Sequence, residues 1–208
     1  MKVFSLKEGE ELVKAARYTI ELYISNPSFD RDLIKSTLRG FVHKYGVFVT
    51  LEYGPTRTLR GCIGFPNPVS TLSNDIVEAA LGAAFEDPRF VPVSHKELDD
   101  LTVEVSILSE AHQIKVSGIG RMDEIKVGRD GLIVRYGISS GLLLPIVAVE
   151  QKWDSRTFLE EVCVKAGLPR SYWSHPGVSI YKFETQVFRE ETPRGRIIEV
   201  KLNDGPVA

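Results

Sequence analysis

Leu101-Thr-Val-Glu-Val-Ser-Ile107 is the stretch that indicates the fold most directly, because apolar and polar side chains alternate along it without a break. Successive side chains of a β-strand point to opposite faces of the sheet. The four aliphatic residues therefore share one face, and Thr102, Glu104 and Ser106 share the other. The alternation predicts a strand with one buried apolar face.

Two strands are predicted just before this one, joined as a hairpin. Val47-Phe-Val-Thr-Leu-Glu-Tyr53 is rich in β-branched and aromatic residues, which are typical of strands. Gly54-Pro55-Thr56 predicts a turn, and Leu59 to Phe65 then returns as the hairpin partner. Further strands are predicted over residues 178–188 and, at an edge, from Ile197 to Leu202.

Two further patterns lie in the second half of the chain. Residues 126–135 predict a hairpin in which Asp130-Gly131 supplies the positive φ angles of the turn. The run from Leu142 to Val149 is apolar on both faces and contains Pro145, which indicates a buried segment with a bend.

Helices are interspersed with these strands. Ser5-Leu-Lys-Glu8 is a capping box, which begins a helix. Asp87-Pro88 ends another, because proline disfavours helical geometry in the residue before it. The predicted helices lie at about 5–26, 30–40, 70–87 and 154–167. Without a regular βαβ rhythm, the pattern predicts an α+β fold, mainly an antiparallel sheet with flanking helices.

The composition is that of a folded globular protein. Of 208 residues, 43% are hydrophobic and 26% charged, which excludes fibrous and disordered classes. The length suits one core, or two interleaved lobes making a single domain over 1–208. The net charge of −2 gives no electrostatic footprint for nucleic acid or an anionic membrane.

The sequence predicts a cytoplasmic location. The N-terminal residues lack the apolar core of a secretory signal, and no apolar run is long enough to span a bilayer. The two cysteines do not make a disulfide framework. Because Asn, Gln, Cys and Met are scarce, a heat-adapted source is suggested, and such sources do contain intracellular disulfides. A bridge between Cys62 and Cys163 therefore stays open.

The segment Arg60-Gly61-Cys62-Ile63-Gly64 is the best candidate for a chemical site. Glycines let the backbone approach a ligand closely. A neighbouring guanidinium favours the thiolate form of cysteine, or holds a phosphate or carboxylate in bidentate fashion. The alternative is that Cys62 is a small packed residue of a strand.

Glu104 also has two interpretations. If its face of the strand is covered, the carboxylate needs a cation, for which Arg60 and Arg89 are the candidates. If the face is exposed, Glu104 is an ordinary solvent-facing residue. Asp87-Pro88-Arg89-Phe90 is explained as a helix stop with an internal Asp–Arg pair.

Other chemistry finds no support in the sequence. Cys163 lies on the apolar stripe of a helix, so packing explains it. No cysteine or histidine pairs have the spacing of metal ligands, and we predict no metal site. Dinucleotide, phosphate-loop and nucleophile-elbow motifs are likewise missing.

Several segments together resemble the AMMECR domain family, of the archaeal and bacterial AmmeMemoRadiSam protein A type. The core of the resemblance is Leu59-Arg-Gly-Cys-Ile-Gly-Phe65. Ile146 departs from the family pattern, which has glutamine after Leu-Leu-Leu-Pro. The other matching segments are Asp87-Pro-Arg-Phe90, Val103-Glu-Val-Ser106, Lys126 to Val134, Ser140 to Pro145, Trp153 with Phe158-Leu159, and Cys163 to Pro169.

The resemblance implies a two-lobed α+β domain with the cysteine motif near the cleft between the lobes. It also implies relatives encoded beside, or fused to, Memo-like and radical S-adenosylmethionine proteins. It implies no particular reaction or cofactor. Ligand contacts near Ile146 are expected to differ in this member if that position lines the cleft.

Three hypotheses follow. In the first, the chain is an enzyme or an accessory subunit of one, with catalytic Cys62, a thiol of depressed pKa, and catalytic Glu104. In the second, it is a binding or adaptor module without chemistry that uses the same cleft. In the third, the cysteine motif is purely structural. The predicted ligand-binding residues are Arg60, Gly61, Gly64 and Arg89.

Overall fold

The alternating stretch forms strand β3, Leu101–Leu108, in the computed structural model, which describes residues 2–201. β3 pairs antiparallel with β1, Gly46–Tyr53, and β1 pairs antiparallel with β2, Thr58–Phe65. On its other side β3 neighbours β7, Ser179–Glu190. The strands and helices confirm the predicted α+β fold with an antiparallel sheet.

The chain forms two units. The first contains residues up to 108 together with 186–200, and the second contains 109–185. The C-terminal part of β7 belongs to the first unit, where it pairs antiparallel with β8, Ile197–Val200. The predicted tail strand is thus present, except that Leu202 lies outside the described residues.

Two helices, α1, Leu6–Ser25, and α3, Leu72–Leu81, cover the apolar face of the sheet in the first unit. A third, α2, Arg31–Thr37, packs against both of them. The predicted capping box begins α1, with Ser5 and Glu8 each satisfying a backbone N–H of the other. Leu12 of α1, Ile76 of α3 and Val105 of β3 are fully buried in the shared core. Burying each such side chain stabilises the fold by about 2 kcal/mol.

The β1–β2 hairpin contains a bulge beside the candidate site. Leu51 pairs with Gly61, but Glu52 pairs with Leu59, so Arg60 is an extra residue with no partner position on β1. A bulge bends its strand and redirects a side chain. Here it takes Arg60 out of the regular alternation of β2.

The second unit has its own sheet and core. It contains β4, His112–Gln113; β5, Asp130–Tyr136; β6, Ser139–Leu143; and the N-terminal part of β7. β7 pairs antiparallel with β4 and β5, and β5 pairs with β6. The helices are α4, Pro145–Glu150, and α5, Ser155–Lys165, whose Phe158 and Cys163 lie in the core.

The predicted turn at Asp130-Gly131 is wrong. Both residues lie inside β5, and the hairpin turns at Gly137-Ile138, where Gly137 has a φ angle of +56°. Gly131 is needed for space, because a Cβ there would overlap the ring of Phe183 on β7. The glycine reflects a close packing contact and not a turn.

The apolar run around Pro145 also differs in detail from the prediction. Its first part belongs to β6, and Pro145 is the first residue of α4. Proline suits that position because its missing N–H has no partner in the first helical turn. Ile146, the departure from the family pattern, lies half-buried on α4. Among residues 2–201, no helix is long and apolar enough to cross a membrane.

Candidate functional site

Cys62, Thr50 and Glu104 lie side by side on three neighbouring strands, and we call them the polar row. Thr50 of β1 is opposite Cys62 of β2 on one side and opposite Glu104 of β3 on the other. The hydroxyl of Thr50 donates a 3.3 Å hydrogen bond to Sγ of Cys62. The fold thus brings the two predicted catalytic residues to one row, with Thr50, which the sequence analysis missed, between them.

The face that carries the polar row is buried. Glu104 is only 7% exposed and Ser106, two residues further along β3, is 0% exposed. The solvent-facing interpretation of Glu104 is therefore wrong. Oγ of Ser106 has no hydrogen-bond partner among the described residues, and the same holds for the buried Nε of Arg189. Such groups are rare in folded proteins and call for an explanation.

The cations near Glu104 are Arg57 and Arg189, one from the β1–β2 turn and one from β7. Each places a guanidinium nitrogen 3.9 Å from Oε2 of Glu104. Arg57 also pairs with Glu52 at 2.7 Å and has a φ angle of +54°, which is uncommon outside glycine. The prediction of Arg60 and Arg89 as partners of Glu104 is wrong, because those two arginines bind other carboxylates.

Arg60 is held in a buried ion pair. Its side chain is 4% exposed, and its Nε donates to Oε1 of Glu97 at 2.8 Å. Nη2 donates to the carbonyl of Val91, and the guanidinium lies 5.7 Å from the ring centre of Phe90. Partial burial raises the pKa of Glu97, but hydrogen bonds from Arg60 and Ser94 outweigh it and lower the pKa to about 2. Most donors of Arg60 are thus committed within the protein.

Arg89 and Asp87 form a second ion pair, as the sequence predicted. Nε and Nη2 of Arg89 donate to the two carboxylate oxygens of Asp87 at 2.9 and 2.6 Å. This pair holds the pKa of Asp87 well below its usual range, against the opposing effect of burial. Asp87 is buried while the guanidinium of Arg89 is about half exposed. The pair also contacts the backbone of Cys62. The N–H of Cys62 donates to Asp87 at 2.8 Å, and Arg89 donates to the carbonyl of Cys62 at 3.4 Å.

The thiol of Cys62 is in its protonated form at neutral pH. Burial raises its pKa, and the hydrogen bond from Thr50 and the charge of Arg89 oppose that effect without overcoming it. Glu104 and Asp87, as nearby anions, raise the pKa further. The expected depressed pKa is therefore wrong. The residue itself is half-buried, so it is more exposed than a core cysteine and less exposed than a surface cysteine.

The two glycines of the motif approach the protein's own backbone. A Cβ on Gly61 would overlap the carbonyl oxygen of Ala83, in the wide helical turn Gly82–Glu86 that follows α3. A Cβ on Gly64 would overlap the carbonyl oxygen of Val47 on β1. Close packing accounts for both, and their predicted role in ligand binding stays a prediction.

Both cysteines are free thiols. Cys163 is fully buried on α5, where burial raises its pKa to about 11. In the part of the chain that the structure describes, no three His, Cys, Asp or Glu side chains are grouped as metal ligands.

The residues that sequence reasoning missed come from distant parts of the chain. Thr50 could have been found from the hairpin register, since it lies opposite Cys62. Ser106 had been placed on the face of Glu104, but its full burial was not visible in the alternation. Arg57 and Arg189 carry no local signal, because their position beside Glu104 depends on the fold.

Comparisons with known proteins agree with one another. A family model described as AMMECR1 matches residues 13–188. Protein MJ0810 of Methanocaldococcus jannaschii is 46% identical over 97% of this chain and 100% of its own length. Protein TK0174 of Thermococcus kodakarensis is 46% identical over 91% of this chain and 93% of its own. The crystal structure of uncharacterized protein PH0010 from Pyrococcus horikoshii has a TM-score of 0.89 at 46% identity, covering 94% of this chain and 98% of that chain.

Proposed function

The chain belongs to the AMMECR1 family, and on that premise we propose that it binds a small polar ligand along the polar row of its first unit. Cys62 contributes a neutral thiol at one end, and Glu104 with its neighbouring arginines contributes charged groups at the other. The ligand contacts the face of the sheet opposite to helices α1 and α3.

The observation that carries this proposal is the polar row itself, because groups at both of its ends are only partly covered. Cys62 is half-buried, and beside Glu104 the side chains of Arg57 and Arg189 keep 34% and 22% of their surface exposed. On the same face the hydroxyl of Ser106 is covered by the protein and has no partner among the described residues, which costs about 1–3 kcal/mol. An unpaired polar group kept beneath a partly open polar surface favours a binding role for that surface.

The chemistry of the ligand follows from the groups that face it. Nε of Arg189 is a donor without a partner among the described residues, so it calls for an acceptor oxygen such as a carboxylate or carbonyl. From β2 across β1 and β3 to β7 there are three strand spacings of about 4.8 Å each, so the face is about 14 Å wide. This width limits the ligand to a small molecule, no longer than an extended peptide of about four residues.

A second candidate is thiol catalysis, which the position of Glu104 in the same row favours. Here the thiol proton of Cys62 passes to the hydroxyl of Thr50, which lies between the two residues and gives its own proton to Glu104. The sulfur then adds to a carbonyl carbon of the ligand, whose oxygen receives the electron pair. Since the thiol is protonated at neutral pH, this reaction needs Glu104 as base. Substituting Glu104→Gln would then abolish adduct formation even at ligand concentrations that saturate the variant.

The resemblance to the family adds a proposal about context. We propose a cytoplasmic accessory protein that acts with Memo-like or radical S-adenosylmethionine proteins. Sedimentation of the purified proteins, alone and mixed, tests the association. Unchanged sedimentation in the mixtures would remove this part of the proposal.

The binding proposal is tested by two measurements. Iodoacetamide should alkylate Cys62 in the folded protein, while Cys163, which is fully buried, should react only after unfolding. Ser106→Ala should raise the free energy of unfolding by about 1 kcal/mol, because it removes an unpaired hydroxyl. Both cysteines reacting only on unfolding, or a clear loss of stability in Ser106→Ala, would contradict the proposal.

A further inference from the structure

We propose that Asp87 and Arg89 form a clamp that positions Cys62 by occupying both of its outward backbone groups. The inference rests on the proposed function, since it concerns the residue at the accessible end of the polar row. Asp87 and Arg89 are positioning residues in this role, and the sulfur of Cys62 is the group that meets the ligand.

The clamp acts at the edge of the sheet. β2 is the first strand in the order β2-β1-β3-β7, so its backbone groups on one side face no other strand within residues 2–201. At Cys62 those groups are occupied by side chains: Asp87 accepts from the N–H and Arg89 donates to the carbonyl. A neighbouring strand would make the same two contacts. The ion pair therefore replaces a missing strand at one residue.

The sequence builds the clamp from two local features. Gly61 has no Cβ, so the turn Gly82–Glu86 lies directly against β2 at Ala83. Asp87 follows that turn with extended backbone angles, φ −72° and ψ 111°, because Pro88 disfavours helical geometry before it. The buried carboxylate thereby faces the N–H of Cys62.

Arg89 is oriented by further contacts. Its own backbone N–H donates to Asp87 at 3.1 Å, and its guanidinium lies 5.4 Å from the ring centre of Phe90. The same ring faces Arg60 at 5.7 Å. Phe90 thus contacts two guanidinium groups, and its contact with Arg89 restricts the directions in which Arg89 donates.

The clamp places two opposite charges beside the thiol. Burial is the main influence on the pKa of Cys62 and raises it; of the clamp residues, Arg89 lowers that pKa and Asp87 raises it. Removing the charge of Asp87 should therefore make Cys62 more reactive, and removing the charge of Arg89 should make it less reactive. A merely structural role would not give opposite signs.

The test compares Asp87→Asn, Arg89→Gln and the double variant by the rate of iodoacetamide alkylation of Cys62 as a function of pH. The reactivity profile should move to lower pH in Asp87→Asn and to higher pH in Arg89→Gln, with rates changed about threefold, or half a pH unit. The double variant should return close to the wild-type profile. Single variants that shift the profile in the same direction, or leave it unchanged, would overturn the proposal.

Asp130→Asn provides a matched control. Asp130 is a buried aspartate that pairs with the adjacent Arg129 at 2.7 Å and accepts from the backbone N–H of Lys126, but it lies in the second unit. Asp130→Asn should lower the free energy of unfolding about as much as Asp87→Asn does. It should leave the pH profile of Cys62 alkylation unchanged. A shifted profile in Asp130→Asn would show that the readout follows stability and not the clamp.

A second readout does not depend on the thiol. Amide hydrogen exchange at Cys62 should become at least tenfold faster in Asp87→Ala, because the N–H loses its acceptor, and unchanged exchange would overturn the clamp. If a variant fails to fold, Arg89→Gln alone still tests the direction of the shift. Absence of alkylation in the folded wild type would instead count against the proposed function, so the two failures are distinguishable.

Discussion

The backbone N–H of Cys62 donates a 2.8 Å hydrogen bond to the carboxylate of Asp87, a residue 25 positions further along the chain. This contact joins the outer strand of the first unit to the segment after α3. It shows that the candidate motif is positioned by side chains outside the hairpin that carries it. The variants below measure how far the polar row and its surroundings depend on such contacts.

Thr50→Val should make Cys62 less reactive. Valine keeps the shape of the side chain and removes the hydroxyl that donates to Sγ. Burial already raises the pKa of Cys62, and the hydrogen bond from Thr50 opposes it. We expect alkylation about threefold slower at about pH 8. Thr102→Val is the control, since its hydroxyl donates to the carbonyl of Glu52; an equal effect in both variants would contradict the prediction.

Gly61→Ala should destabilise the protein by about 2 to 3 kcal/mol, since overpacking of a tight contact has this magnitude. The added Cβ overlaps the carbonyl oxygen of Ala83, which is backbone and cannot rotate away. Urea unfolding measures the loss. Gly40→Ala is the matched control, because no atom lies within 4 Å of its added Cβ, and it should change stability little. A similar loss of stability in Gly61→Ala and Gly40→Ala would show that the backbone at Ala83 moves to accommodate the added Cβ.

Glu97→Gln should give a pH-dependent loss of stability. The folded-state pKa of Glu97, about 2, lies below its ordinary value of 4.5, so the carboxylate stabilises the fold above pH 4.5 and loses that effect as the pH falls towards 2. At neutral pH the variant should be less stable by about 2 kcal/mol, allowing for partial solvent exposure. The difference in the free energy of unfolding between Glu97→Gln and the wild type should become smaller as the pH falls. A difference that stays constant from pH 7 to about pH 2 would argue against the ion pair with Arg60.

Arg17→Met should destabilise the first unit by about 3–5 kcal/mol, because it leaves the carboxylate of Glu190 buried without its cation. Nε and Nη2 of Arg17 donate to that carboxylate at 2.6 and 2.5 Å. The double variant Arg17→Met with Glu190→Gln should recover at least half of the loss. Lys14→Met, which breaks an exposed ion pair, should have almost no effect. No recovery in the double variant would show that packing of Arg17, and not charge, dominates.

The sequence predicted what depends on local pattern. The alternation around Glu104 identified β3 and the side chains that share its polar face, and Asp87-Pro88 identified the end of a helix. Burial of that face could not be predicted, because exposed and covered strands have the same alternation. The cations beside Glu104 were missed since Arg57 and Arg189 reach it only through the fold.

One wrong prediction and one contact that was not predicted have the same physical origin. Asp130-Gly131 has the residues of a tight turn, yet the ring of Phe183 requires a glycine at that point of β5. Arg60 was assigned to the environment of Cys62 because it is two residues away on β2. The bulge opposite Leu51 and Glu52 takes it out of register, and it binds Glu97. In both cases tertiary contacts, which no local pattern reports, decided the outcome.

Strand β7 affects the order in which the two units can fold during synthesis. The ribosome completes residues 109–185 of the second unit before it produces residues 186–200, which belong to the first. Until then β3 lacks its neighbour on one side, and the guanidinium of Arg17 lacks the carboxylate of Glu190. A nascent chain that stalls before this point presents an open strand edge, which is prone to aggregation. Premature termination within β7 should therefore yield more aggregated protein than termination after β8.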